Sequence, residues 1–322
     1  MMETTGEENA MNGLFEKILN NIGKVIVGKE DTVRLILSSL LAGGHVLLED
    51  VPGTGKTMLA KALSRSLDAG FNRIQFTPDL LPSDVTGINY FHQKAGDFVF
   101  KAGPIFTNVL LADEINRATP RTQSALLECM EERQVTFDGE THVLEEPFFV
   151  IATQNPIETT GTFPLPEAEL DRFLMKLSMG PLRKEEELEV LKRYRADRPL
   201  DGLQPVCTKE ELLDARSRML SVYVHDSLLS YMTDIASQTR KAPGVLAGAS
   251  PRGTITLMHA SMAYAYIAGR TFVVPEDIKT VAVPVLAHRL TLERGYGMSS
   301  AGRRLMEQIL SEVPVPTEDF ER

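Results

Sequence analysis

The stretch Val46-Leu47-Leu48-Glu49-Asp50-Val51-Pro52-Gly53-Thr54-Gly55-Lys56-Thr57 constrains the fold more than any other part of the chain. Residues 46–48 are a short apolar run of the kind that forms a buried strand, and Pro52, Gly53 and Gly55 turn it into a loop. Over residues 58–67, Leu59, Leu63 and Leu67 then fall on one helical face. Strand, glycine loop, Gly-Lys-Thr and helix together form the context in which a phosphate-loop pattern has a mechanism. Loop N–H groups can cradle phosphate oxygens while the helix N-terminus adds partial positive charge. Lys56 can reach terminal phosphates, and the Thr57 hydroxyl can bind Mg2+. The nucleotide set is thus Pro52, Gly53, Thr54, Gly55, Lys56, Thr57 and Met58. The first glycine of the usual pattern is Asp50 here, but Gly53 and Gly55 still supply a tight backbone.

Two later strands complete such a site. After Asn108, residues 109–112 are apolar and end in Asp113-Glu114. Asp113 would hold magnesium through water, and Glu114 would orient and deprotonate an attacking water. Residues 148–153 form another buried run, ending in Gln154-Asn155-Pro156. A polar residue at the C-terminal end of a central strand faces the ligand crevice of an open α/β sheet, so Asn155 can bond the γ-phosphate or the water. Upstream, Val27-Gly28 can close over an adenine ring, or can be a core residue and a turn. Two hairpins interrupt the α/β pattern. One spans residues 89–100, with a turn near Ala95-Gly96; the other spans 134–144 around Asp138-Gly139.

From residue 182 onward the chain reads as successive helices. Thr208-Lys209-Glu210-Glu211 is a capping box, and Ser250-Pro251 sets an N-cap before a first-turn proline. Pro275-Glu276-Asp277 opens the last main helix, towards Leu290, with Pro284 as a kink. The expected organisation is a disordered N-terminus over 1–10, an α/β nucleotide-binding core over 11–180, and a smaller all-α domain over 181–322. A formal net charge of −10, from 34 basic and 44 acidic residues, argues against general nucleic-acid binding. Cys129 and Cys207 are too few for a disulfide framework and lack metal spacing, which suggests free thiols in a reducing compartment. The polar N-terminus does not resemble a signal peptide, and no apolar run is long enough to span a bilayer, so a cytoplasmic location is expected.

Taken in order, these features resemble an AAA+ ATPase: a parallel sheet sandwiched by helices, with inserted β-hairpins, followed by a helical lid. The two hairpins resemble the helix-2 insert and the hairpin before sensor 1. That branch includes MoxR proteins, magnesium chelatase motor subunits and sigma-54 activators. Residues 49–57, 113–118, 152–156 and Leu286-Ala287-His288-Arg289-Leu290 resemble MoxR proteins. The resemblance implies ATP and Mg2+ as ligands, with Asn155 as sensor 1. It implies Arg172, in Leu170-Asp171-Arg172-Phe173, as an arginine finger, and Arg252 as sensor 2. An arginine suits a finger because it is always charged and presents a rigid fork of donors. It further implies a homo-oligomeric ring, usually a hexamer, that matures a protein client, often with a von Willebrand factor A domain partner. A nucleotide-gated assembly switch with little turnover, a magnesium-chelatase-like motor subunit and a DNA-acting member of the branch are the alternatives.

Overall fold

The computed structural model describes residues 4–320 apart from 95, 138, 157–160, 294–299 and 318–319. In chain order, α1 (Thr4–Gly23) and α2 (Glu30–Leu41) lead to β1 (Val46–Glu49), the phosphate loop and α3 (Lys56–Ser66). β2 (Phe71–Gln75) and the short α4 (Pro82–Thr86) follow, then a hairpin of β3 (Gly87–His92) and β4 (Asp97–Ala102). β5 (Val109–Asp113), α5 (Pro120–Glu132), a second hairpin of β6 (Gln134–Phe137) and β7 (Glu140–Val143), and β8 (Phe149–Gln154) come next. The short α6 (Glu167–Leu170) and β9 (Met175–Leu177) close the α/β part.

The remaining chain is α7 (Lys184–Ala196), α8 (Lys209–Met219), α9 (Asp226–Lys241), β10 (Val245–Ala247), α10 (Pro251–Ile267), α11 (Pro275–Leu286), β11 (Thr291–Leu292) and α12 (Ala301–Glu312).

The five main strands form one parallel sheet in the order β2-β5-β8-β1-β9. β1, β5 and β8 are apolar without alternation because helices cover both faces of the sheet. One apolar core joins α1, α2 and α3 to the helical region. A second lies between the sheet and α5. α10 packs on α2 and α11, and Leu257, Ala260 and Ala263 are among its buried residues.

Three expectations change. The N-terminal stretch read as disordered is helical from Thr4. Phe15, Ile18 and Ile22 anchor the far half of α1 in the core, and extending an existing helix costs little. α11 stops at Leu286 rather than continuing to Leu290. Residues Ala287–Arg289 tighten into a 3-10 turn just beyond Pro284. A further helix, α12, follows, and a short antiparallel pair, β10 with β11, sits within the helical region. The Ala95 and Asp138 turn positions lie outside the described residues; the strands they connect pair in register.

Candidate active site

Strand register brings the nucleotide-handling residues to one edge of the sheet. Leu48 pairs with Thr153, Glu49 with Gln154, and Gln75 with Asp113. The phosphate loop, Asp113-Glu114 and Asn155 therefore all emerge at the C-terminal ends of the strands, where open α/β sheets bind ligands. Gly53 and Gly55 both have φ of 88°, a left-handed conformation that costs glycine little, and a Cβ on either meets nothing within 4 Å. Gly55 is also the N-cap of α3, so the loop delivers the chain into a helix N-terminus. Lys56 Nζ donates to the carbonyls of Asp50 (2.8 Å) and Val51 (3.3 Å), and Thr54 Oγ1 donates to Val51 O at 3.4 Å. Such a concave backbone with a lysine at its lip and a helix dipole behind it fits a polyphosphate. Thr57 lies in the first turn of the same helix.

Asp50 serves as an anchor. Its buried carboxylate accepts hydrogen bonds from Ser178 Oγ (2.7 Å), Met179 N (2.7 Å) and Gly180 N (3.1 Å). The start of the phosphate loop is thereby tied to the segment that leaves β9 for the helical region. Gly28, at φ 68°, lies against that region too: a Cβ there would come within 2.3 Å of the Glu186 side chain in the first turn of α7. Lys29 Nζ donates to Pro181 O at 2.9 Å. Val27 and Gly28 thus adjoin the junction of the sheet with the helices.

Thr153 joins the two acidic residues. Its Oγ1 donates to Asp113 Oδ1 (2.6 Å) and accepts from the Glu114 N–H (2.8 Å). Arg73 pairs with Asp113 Oδ2 at 2.8 Å. Glu114 has a left-handed backbone, φ 56°, which turns it out of the strand. Its Oε2 accepts from Gln75 Nε2 at 2.8 Å and lies 3.3 Å from Arg117 Nε. Asn155 follows β8 and is buried. An aspartate and threonine at this edge match the hard oxygen ligands that Mg2+ prefers.

The two predicted arginines lie elsewhere. Met175 pairs with Val46, the first residue of β1, and Leu174 N donates to His45 O at 2.8 Å. Arg172 therefore sits at the N-terminal edge of the sheet, a strand length of roughly 10–13 Å from the edge that carries the phosphate loop. Arg252, at the start of α10, is at the same edge. Arg172 Nε pairs with Glu131 Oε2 (3.1 Å) and Arg252 Nη1 with Glu131 Oε1 (3.2 Å), so one carboxylate on α5 holds both. They line a cleft of about 230 Å³ with Arg133, Asp171, His259 and Arg289. The structure brings Lys56, Thr57, Asp113, Glu114 and Asn155 together and sets Arg172 and Arg252 apart as a pair. Arg252, which the resemblance implies as sensor 2, lies at the start of α10 beside Arg172, on the edge opposite its own chain's phosphate loop.

Sequence reasoning gave no role to Gln75, Glu131, Arg117 or Arg289, although the last two lie in stretches that resemble MoxR proteins, and noted Asp50 only as a departure from a pattern. A side chain from another strand or helix leaves no mark at the position it pairs with. The one available signal was Asp50 itself, an acid where glycine is usual.

Comparisons with known proteins agree with an α/β core followed by a helical lid. Residues 45–175 match the ATPase family associated with various cellular activities (AAA), and residues 237–312 match the AAA lid domain. The uncharacterized protein YeaC of Bacillus subtilis (strain 168) is 49% identical over 306 residues, covering 95% of this chain and 96% of that protein. Chaperone MoxR1 of Mycobacterium tuberculosis is 40% identical, covering 86% and 76%. Protein MoxR of Methylorubrum extorquens is 31% identical, covering 92% and 93%. A crystal structure of a Cytophaga hutchinsonii protein superposes with a TM-score of 0.90 at 40% identity, over 98% of this chain and 99% of the other.

Proposed function

This chain belongs to the MoxR family of AAA+ ATPases, and from its two-edged site we infer that it hydrolyses ATP between the subunits of a ring. The observation that carries this reading is the separation of the residues. Phosphate loop, Asp113, Glu114 and Asn155 occupy one edge of the sheet, and Arg172 with Arg252 the other. A nucleotide held at the first edge of one chain meets the arginines of the next. Contacts between unlike surfaces of identical chains generate rings when the rotation closes.

Within such a site the loop N–H groups and Lys56 bind the phosphates. Glu114 takes the proton of a water that attacks the γ-phosphorus as the bond to the bridging β-phosphate oxygen breaks. Asn155 orients that water, and the neighbour's Arg172 and Arg252 oppose the charge that accumulates on the phosphoryl oxygens. Bound Mg2+, held by Thr57 and through water by Asp113, would neutralise the β- and γ-phosphate charge. Gln75 and Arg117 hold one carboxylate oxygen of this base, Oε2 of Glu114.

The work is directed at a protein client. The name of the Mycobacterium relative, a chaperone, supports this. So does the β3–β4 hairpin, which exposes Ile88, Tyr90, Phe91 and Phe98. A von Willebrand factor A domain partner fits the resemblance. A nucleotide-gated switch with little turnover is the second reading, favoured by the engagement of Glu114.

Steady-state phosphate release over a range of protein concentrations tests the reading. Turnover per subunit should rise with concentration and vanish in Glu114→Gln. Arg172→Ala should bind ATP normally yet lose most turnover, up to the roughly 10³–10⁵ that arginine fingers contribute. Normal turnover in Arg172→Ala rules out hydrolysis shared across subunits. Tight ATP binding without wild-type turnover at any concentration favours the switch.

A further inference from the structure

Beneath half-buried Arg172 and exposed Arg252 lies a third arginine that the mechanism does not use. Arg289 belongs to the 3-10 turn after α11, and its side chain is only 4% exposed. Its Nε donates to Asp171 Oδ1 at 2.6 Å. Nη2 donates to Asp171 O (3.1 Å) and Phe173 O (2.8 Å), and Nη1 to Leu174 O (3.2 Å) and to Val285 O. All five guanidinium N–H donors thus have protein acceptors, four of them within residues 171–174. The carbonyls on both sides of Arg172 are held by a single planar fork.

The same side chain supports Arg252. A Cβ on Gly253 would lie 3.3 Å from Arg289 Cδ, so the first turn of α10 rests on the arginine's stem. Asp171 gives one carboxylate oxygen to Arg289 and lies 3.7 Å from Arg252 Nε through the other. Burying a charge is costly, and as stabilisation it brings little that an apolar residue could not supply. What a satisfied, rigid fork does provide is a single geometry for the groups it bonds.

We propose that Arg289 is a positioning residue: it orients Arg172 and Arg252 for the nucleotide of the neighbouring subunit and leaves its own chain's nucleotide edge untouched. This rests on the reading that Arg172 acts across a subunit boundary. The consequence is directional. A chain altered at Arg289 keeps a sound nucleotide site and fails only the neighbour it serves.

Subunit mixing reads this directly. The full-length chain carries Arg289→Lys, which keeps a positive charge beside Asp171 but cannot bond two peptide carbonyls and a carboxylate in one plane. Arg289→Met is a second variant. Alone, each should bind a fluorescent ATP analogue with wild-type affinity while turnover falls by roughly 10²-fold or more, a large share of a finger's contribution. Mixed in equal amounts with the inactive Glu114→Gln chain, each should recover turnover. The ceiling is about a quarter of the wild-type rate, the share of junctions at which an intact Glu114 meets intact arginines in a randomly mixed ring. Arg172→Ala mixed with Glu114→Gln is the reference and should recover likewise. Recovery with Arg172→Ala but not with Arg289→Lys overturns the proposal and leaves the shared-site reading standing. Wild-type turnover in Arg289→Lys alone overturns it too. No recovery with Arg172→Ala overturns the shared-site reading, and the proposal falls with it.

Discussion

His45 illustrates how strongly one buried position is determined. It accepts a hydrogen bond from Val150 N at Nδ1 (3.0 Å), and its Nε2 lies 3.0 Å from Met130 O, where the neutral ring's N–H donates. Burial, chiefly, and the nearby Arg133 and Arg216 lower its pKa to about 4. Because the folded pKa lies below the unfolded value of 6.5, the unfolded chain takes up the extra proton first. Stability is therefore lost as pH falls from about 6.5 towards 4, by about 3 kcal/mol from this residue. His45→Asn should flatten the pH dependence of urea unfolding by up to one proton across that window. An unchanged slope contradicts the assignment. Asp50 makes a second case. Asp50→Gly restores the glycine common in phosphate loops but strands the buried Met179 amide and removes an acceptor of Ser178 and Gly180. It should cost about 2–3 kcal/mol in denaturant unfolding, the scale of hydrogen bonds to a charged group. A neutral or stabilising result shows that the anchor is dispensable. The cysteines provide a contrast: burial pushes the thiols of Cys129 and Cys207 up to about 12, so neither is an activated nucleophile.

Elements with a complete local signal were legible. β1, β5 and β8 are uninterrupted apolar runs, α2 carries Val33, Ile36, Leu37 and Leu40 at helical spacing, and α8 begins with a capping box that forms as read. α12 has its apolar positions, Leu305, Met306, Ile309 and Leu310, but no side-chain cap announces its start. β10 and β11 are too short to alternate, and only their pairing defines them. The nucleotide edge could be read because sequence order along parallel strands becomes spatial order at their C-terminal ends. The arginine edge could not, since the Glu131 shared by Arg172 and Arg252 lies on a third element. Glu131→Gln gives that edge its own test. The pairs are partly exposed, so stability should change by less than about 1 kcal/mol. Turnover should shift more than nucleotide affinity does, because both arginines lose their common partner. An equal shift in both would mean that Glu131 acts through the nucleotide edge. On the β3–β4 hairpin, Phe91 and Phe98 meet edge to face at 5.5 Å yet are 53% and 68% exposed. Substituting both by serine should leave unfolding within about 0.5 kcal/mol, as for surface positions generally, while removing stimulation of turnover by a client. Retained stimulation would place client contact elsewhere.

At the scale of the molecule, a nucleotide that bridges two chains must strengthen their association, because binding and assembly are reciprocally linked. In analytical ultracentrifugation, ATP with Mg2+ should shift Glu114→Gln to larger species, and adding Arg172→Ala with Arg252→Ala should weaken that shift. Identical sedimentation with and without ATP is the contrary result. Strand β9 gives this linkage a simple geometry. One end continues into the segment held by Asp50 beside the chain's own phosphate loop, and the other follows directly from Arg172. On the proposed reading, each chain has a giving end and a receiving end, like a link with a hook and an eye. An unclosed run of copies always holds one fewer finished site than it has members, because the first hook and the last eye are unmatched. Closing the circle adds the missing site without adding a subunit, and losing a single member removes two.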